Sequence, residues 1–162
     1  MSAATVEGAG VELAYDERGS GEPVVLVHGL ACPRSLWHET VEALGDGART
    51  IAYDRRGYGD SGVPEDYRRT TVEEQADDLI ALLRALDAAP AVLCGLSFAT
   101  LACLDAMARE PDLVRAAVLV EPPLLWLVQE GAEAMSQMRA ALEEGAVRGG
   151  SAGAIDAFAA HV

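Results

Sequence analysis

Cys94-Gly95-Leu96-Ser97-Phe98-Ala99 is the stretch on which the reading of this chain turns. It joins a short apolar run, Ala91 to Cys94, to a helical stretch, Phe98 to Arg109, that stops before Pro111. A serine set between a buried strand and a buried helix sits on a sharp turn. Its hydroxyl projects from the sheet edge, and the helix N-terminus beside it offers amide donors and positive potential. Strand and helix pass close together there, so the positions two before and two after the serine must be small; Gly95 and Ala99 meet that condition. The pattern by itself is weak, and the strand–turn–helix setting gives it weight. The plain alternative is a serine that only caps the helix.

Working outward, Pro23 to Val27, Thr50 to Tyr53 and Arg115 to Val120 are further short apolar runs, the mark of strands buried on both faces. Val11 to Asp16 reads as another strand, followed by a turn over Glu17 to Glu22. Ser35 to Leu44 reads as a short helix. Thr71 to Ala88 is the clearest helix: Val72, Ala76, Leu79, Ile80, Leu83 and Leu86 share one face, and Thr71 with Glu74 forms a capping box. Gly131 to Glu144 and Gly153 to His161 read as two more. Strands alternating with helices predict an α/β fold, a mostly parallel sheet flanked by helices. Ligands gather at the C-terminal ends of such strands. Three ends carry unusual residues: His28-Gly29, Asp54 to Ser61, and Gly95 to Ala99. Gly29 lets the backbone turn sharply, which brings the amide of Leu30 toward the same pocket as the amide of Phe98. Two such amides form an oxyanion hole. A histidine directly at a strand end reads as a structural hydrogen-bonding residue, so His28 is not expected to be a base.

The chain has 162 residues, 51% of them apolar and 23% charged, which predicts one ordinary globular core. Its net charge of −14 opposes binding to nucleic acid or to an anionic membrane, and every basic residue is arginine. Cys32, Cys94 and Cys103 have no zinc-ligand spacing and cannot all pair within the chain, which fits a reducing, cytoplasmic setting. No signal peptide or membrane span is visible. Neither a phosphate-binding glycine motif nor a metal-ligand cluster is present, so no cofactor and no metal are expected.

Val25-Leu26-Val27-His28-Gly29 with Trp37, then Tyr53-Asp54-Arg55-Arg56-Gly57-Tyr58-Gly59-Asp60-Ser61, then Gly95-Leu96-Ser97-Phe98-Ala99, resemble the α/β-hydrolase superfamily in order and spacing. Pro111 to Val114 before the Val118 to Pro123 strand end resembles it too, so the likeness covers residues 11 to 125. Ala99 departs from the family's usual glycine at a mild steric cost. The resemblance implies Ser97 as nucleophile, the Leu30 and Phe98 amides as oxyanion hole, and structural roles for Asp54, Arg56, Gly57 and Gly59. It implies residues 1–123 as the N-terminal part of the core and 124–162 as the start of a helical cap or lid. In the family the acid usually follows a later strand and the histidine the last one. The sequence stops before either, so the isolated chain is expected to be inactive. Glu121, at a strand end, is a candidate acid by analogy with haloalkane dehalogenases, whose nucleophile is an aspartate; Ser97 speaks against dehalogenation here. His38 reads as solvated or structural, and His161 is not at the family's histidine position.

The expected function is a serine hydrolase acting by acyl transfer on a small ester, thioester or amide. Leu124 to Val128 gives a faint hint of an apolar acyl or alcohol group. The alternatives are a non-catalytic degenerate hydrolase used for binding or assembly, and a cofactor-free haloperoxidase-like or carbon–carbon bond hydrolase. Arg115 to Val120 would form an unpaired sheet edge, which invites self-association or a complementing chain. Clean monomeric sedimentation with high thermal stability would contradict that expectation.

Overall fold

Val25, Leu26 and Val27 are all buried, and neighbours along the run pack against opposite faces of a sheet. The computed structural model describes residues 4–160 and places this run in β3 (Glu22–Val27), one of six strands. The others are β1 (Ala4–Glu7), β2 (Glu12–Arg18), β4 (Ala48–Tyr53), β5 (Ala91–Leu96) and β6 (Val114–Val120). The order across the sheet is β1-β2-β4-β3-β5-β6. β4, β3, β5 and β6 are mutually parallel, and the β1–β2 hairpin adds antiparallel to β4.

Helices cover both faces. On one, Val25, Val27, Ile51, Tyr53 and Leu93 pack under Leu79 and Leu83 of α2 (Val72–Ala85) and Cys103 of α3 (Ala99–Arg109). On the other, Leu26 and Ala52 pack with Trp37 and with Val41 of α1 (His38–Leu44). Thr71 and Glu74 make the reciprocal capping box that their spacing predicts.

Several boundaries differ from the sequence reading. β1 was not expected, because Ala4–Glu7 is short and largely exposed; it is held by pairing with β2. β2 runs on through Glu17 and Arg18, which pair with Ile51 and Thr50 of β4, so the turn begins only at Gly19. The stretch expected as one helix from Ser35 is a 3-10 turn, Arg34–Trp37, followed by α1. β6 has no strand partner on its outer edge among the described residues, and Val118 and Val120 are exposed.

The chain divides into two compact units between Pro122 and Pro123. The second contains a 3-10 turn, Leu124–Leu127, and α4 (Gln129–Ala159). Non-helical dihedrals at Gly149 and Gly150, the latter with φ 61°, break α4 into two limbs. The limbs touch at Gly145 and Gly153, where a methyl on either would overlap the other's carbonyl. The two helices expected from sequence are these limbs, with residues beyond Ala160 outside the described part.

Candidate active site

The strand register lines up four carboxyl ends. Val27 lies opposite both Tyr53 and Gly95, and Leu96 lies opposite Val120. The next residues, His28, Asp54, Ser97 and Glu121, therefore share one edge of the sheet. Of the five non-glycine residues with positive φ among the described residues, three follow strands at this edge, while Asp66 and Asp87 lie elsewhere. Ala31 (φ 56°), Ser97 (φ 53°) and Glu121 (φ 51°) are non-glycine residues in the left-handed region, and they follow β3, β5 and β6. Strain of this kind is retained where the surrounding structure over-determines it, and it clusters at functional sites.

Ser97 occupies the turn between β5 and α3. Its N–H donates to the Val120 carbonyl at 2.8 Å, which ties the turn to β6. Its carbonyl accepts from Thr100 N–H at 3.0 Å and from Thr100 Oγ1 at 2.6 Å, which starts the helix. The α3 N-cap is Phe98, with no side-chain capping bond, so Ser97 is not a capping serine. The small-residue requirement is borne out on the strand side: a methyl on Gly95 would lie 2.9 Å from Cys103 Sγ and 3.1 Å from Thr100 N. Ala99 is fully buried. The loop after β3 presses on the turn from the other side, since a methyl on Gly29 would lie 3.3 Å from Ser97 Cβ and from the Leu96 carbonyl. Among the described residues, neither Leu30 N–H, Phe98 N–H nor Ser97 Oγ has a hydrogen-bond partner.

His28 is fully buried and both ring nitrogens are engaged. Nε2 accepts from Arg55 N–H at 3.0 Å, so the proton sits on Nδ1, which donates to the Gly29 carbonyl at 2.8 Å. Burial, then the nearby Arg55 charge, lowers its pKa from 6.5 to about 4. The ring is a neutral brace, as expected from its place at the strand end. Between pH 6.5 and 4 the unfolded chain binds the proton and the folded ring does not, so stability rises with pH. The contribution is full above pH 6.5 and is lost as pH falls toward 4. About 3 kcal/mol is expected to disappear over that interval. Urea unfolding at pH 7 and pH 4.5 should show a steeper loss for the wild type than for His28→Asn; equal slopes would mean that the ring is charged in the fold.

The loop after β4 is built around buried ionic groups. Asp54 accepts from Arg34 N–H at 2.7 Å and Asp60 N–H at 3.0 Å, and it pairs with the Arg34 guanidinium. Arg34 also holds Asp16 and Asp60, each at 3.0 Å. Arg56 binds Asp78 through two nitrogens, at 2.6 and 2.8 Å. Asp54 and Arg56 are thus framework groups. Gln75 and Asp78, on the buried face of α2, receive Arg55 and Arg56 respectively and were missed in the sequence. Their signal is two polar residues three apart inside an apolar stripe.

Glu121 is exposed, and its carboxylate has no partner among the described residues. No described histidine hydrogen-bonds Ser97: His38 faces Asp16 at 3.8 Å, and His161 lies outside the described residues. Leu124, Leu125, Leu127 and Val128 are exposed. Among the described residues no helix is long and apolar enough to cross a membrane.

A mostly parallel α/β sheet, with left-handed residues and, among the described residues, free backbone amides at its carboxyl edge, defines a protein built to work at its strand ends. The chain belongs to the alpha/beta hydrolase fold family, whose model matches residues 22–146. BpoC of Mycobacterium tuberculosis, provisionally named a non-heme bromoperoxidase, is 35% identical over 68% of this chain and 42% of its own length. The 2-(acetamidomethylene)succinate hydrolase of Mesorhizobium japonicum is 33% identical over 68% of this chain and 39% of its own. The crystal structure of epoxide hydrolase VrEH1 from Vigna radiata superposes with a TM-score of 0.69 at 28% identity, covering 73% of this chain and 39% of that one. The chain thus spans well under half the length of these relatives.

Proposed function

We propose that this chain carries the nucleophile and oxyanion site of a serine hydrolase acting on an ester, thioester or amide. Ser97 Oγ adds to the substrate carbonyl carbon, and the oxygen that becomes negative rests on the N–H groups of Leu30 and Phe98. A base takes the hydroxyl proton and returns it to the alcohol, thiol or amine that leaves. Water then cleaves the acyl–Ser97 ester. The observation that carries this reading is a serine at φ 53° on a tight strand–helix turn against Gly29, with the N–H groups of Phe98 and Leu30, the residues that follow Ser97 and Gly29, both without acceptors among the described residues. Backbone N–H groups left free in this way are the donors that a tetrahedral oxyanion needs, which supports the reading.

The base is proposed to lie outside the described residues, because both nitrogens of His28 are committed and His38 faces Asp16. Glu121 is retained as the candidate acid that orients it. Residues 124–162 are proposed as the start of a lid.

Relatives named epoxide hydrolase do not extend that substrate to this chain. A serine oxygen that opened an epoxide would form an ether, which water does not cleave under these conditions. An acyl–serine ester is hydrolysable, so the residue at the turn favours acyl substrates. The test is incubation with p-nitrophenyl acetate followed by intact-mass analysis and peptide mapping. One acetyl group on the peptide carrying Ser97 is expected, formed slowly and then retained, because the base that speeds both acylation and deacylation is proposed to lie outside the described residues. Acetylation scattered over exposed residues, with none at Ser97, would favour the non-catalytic alternative.

A further inference from the structure

Arg55 is 1% exposed, yet its guanidinium has no carboxylate partner among the described residues. Supply does not explain this, since the chain has 26 acidic residues against 12 basic ones, and neighbouring Arg34 and Arg56 are both ion-paired. A buried cation left without a counter-charge is costly unless its hydrogen bonds are satisfied, and its partners here are mostly backbone. Nε donates to the His28 carbonyl at 2.9 Å and Nη2 to the Gly29 carbonyl at 2.9 Å, while Nη1 reaches Gln75 Oε1 at 3.2 Å. Its face lies 4.5 Å from the Tyr58 ring centroid and 5.4 Å from that of Phe98.

The Gly29 carbonyl therefore takes two donors, Arg55 Nη2 and His28 Nδ1–H. In a trans peptide the C=O and the following N–H point in opposite directions, so fixing the Gly29 oxygen fixes the direction of Leu30 N–H. The same guanidinium packs on the side chain of Phe98, whose N–H is the other free amide. We infer that Arg55 is a positioning residue that holds both oxyanion donors from behind, its cation lying on the far side of the Gly29–Leu30 peptide from the oxygen that becomes negative. The inference rests on the proposed role of Ser97. It predicts that Arg55 acts on the formation of a tetrahedral adduct more than on stability.

The experiment measures the rate at which a fluorophosphonate captures Ser97, displacing fluoride from phosphorus, in the wild type, Arg55→Lys and Thr71→Ala. Thr71→Ala removes a helix cap away from the strand ends and serves as the stability control. Arg55→Lys keeps the charge but replaces the rigid planar fork that spans the His28 and Gly29 carbonyls with a point charge on a flexible stem. At least tenfold slower capture is expected for Arg55→Lys, with Thr71→Ala at the wild-type rate although it melts earlier. Wild-type rates for a folded Arg55→Lys would overturn the inference while leaving Ser97 standing. Capture elsewhere than Ser97 in the wild type would remove the nucleophile itself and the inference with it. If Arg55→Lys does not fold, NMR of the wild type decides. On phosphonylation the amide protons of Leu30 and Phe98 should move downfield together with the Arg55 Hη2 proton that donates to the Gly29 carbonyl. An unmoved Leu30 amide or Arg55 Hη2 would overturn the inference.

Discussion

Ser97→Ala is expected to abolish covalent capture of a fluorophosphonate, whereas Ser35→Ala leaves it at the wild-type level. Both serines are available to reagent, since Ser35 is exposed and Ser97 half-buried, so accessibility favours Ser35. What differs is the backbone around them. Ser97 is held at φ 53° at the start of an 11-residue helix and against Gly29, and the N–H groups of Phe98 and Leu30 have no acceptors among the described residues. One well-placed oxyanion donor contributes about 3–4 kcal/mol, or roughly a hundred- to a thousandfold in rate. On the proposed reading, two donors and a helix N-terminus make Ser97 the preferred site even where proton transfer is slow. Peptide mapping after labelling reads the site, and intact mass reads the extent. Equal labelling of wild type and Ser97→Ala would remove Ser97 as nucleophile.

The serine turn was legible in the sequence because each of its requirements is local. Gly95 and Ala99 are small for reasons of close approach, and the flanking apolar runs define strand and helix without any long-range contact. The parallel sheet was legible for a similar reason, through Pro23 to Val27 and its counterparts. Long-range pairing left no such trace. Ala4–Glu7 is a strand only because β2 supplies its hydrogen bonds. Glu17 and Arg18 are strand residues because β4 extends beside them. Gln75 and Asp78 hide inside an apolar face whose period was read correctly, and only the arrival of Arg55 and Arg56 explains why polar groups belong there. In the sequence Arg55 is one more residue of the Tyr53 to Ser61 motif. Its lack of a carboxylate is visible only when the neighbours are in place.

The second large effect is on stability. Asp78→Ala should destabilise the fold by about 3–5 kcal/mol, measured by urea unfolding at neutral pH. Asp78 is 1% exposed and binds Arg56 through both oxygens, while also accepting Ala9 N–H at 2.9 Å. Arg56 in turn donates to the Ala9 carbonyl at 3.1 Å, so one ion pair joins α2, the β1–β2 turn and the loop after β4. Removing the carboxylate leaves a buried guanidinium with the Ala9 carbonyl and, as its remaining counter-charge among the described residues, Glu74 at 3.7 Å. Coulombic attraction at that distance recovers part of the loss, which sets the lower end of the range. Asp78→Leu combined with Arg56→Met should cost less than Asp78→Ala alone, because the penalty comes from an orphaned charge and not from the absence of a pair. The double variant also separates stability from chemistry. It leaves Arg55 intact but loosens its neighbour, so slower capture at Ser97 in a stably folded double variant would mean that the loop must be rigid for Arg55 to hold the Gly29 carbonyl. Unchanged capture would place the whole positioning effect in Arg55 itself. A loss below about 1 kcal/mol for Asp78→Ala would show that water reaches Arg56, and the buried-pair account of this loop would fail.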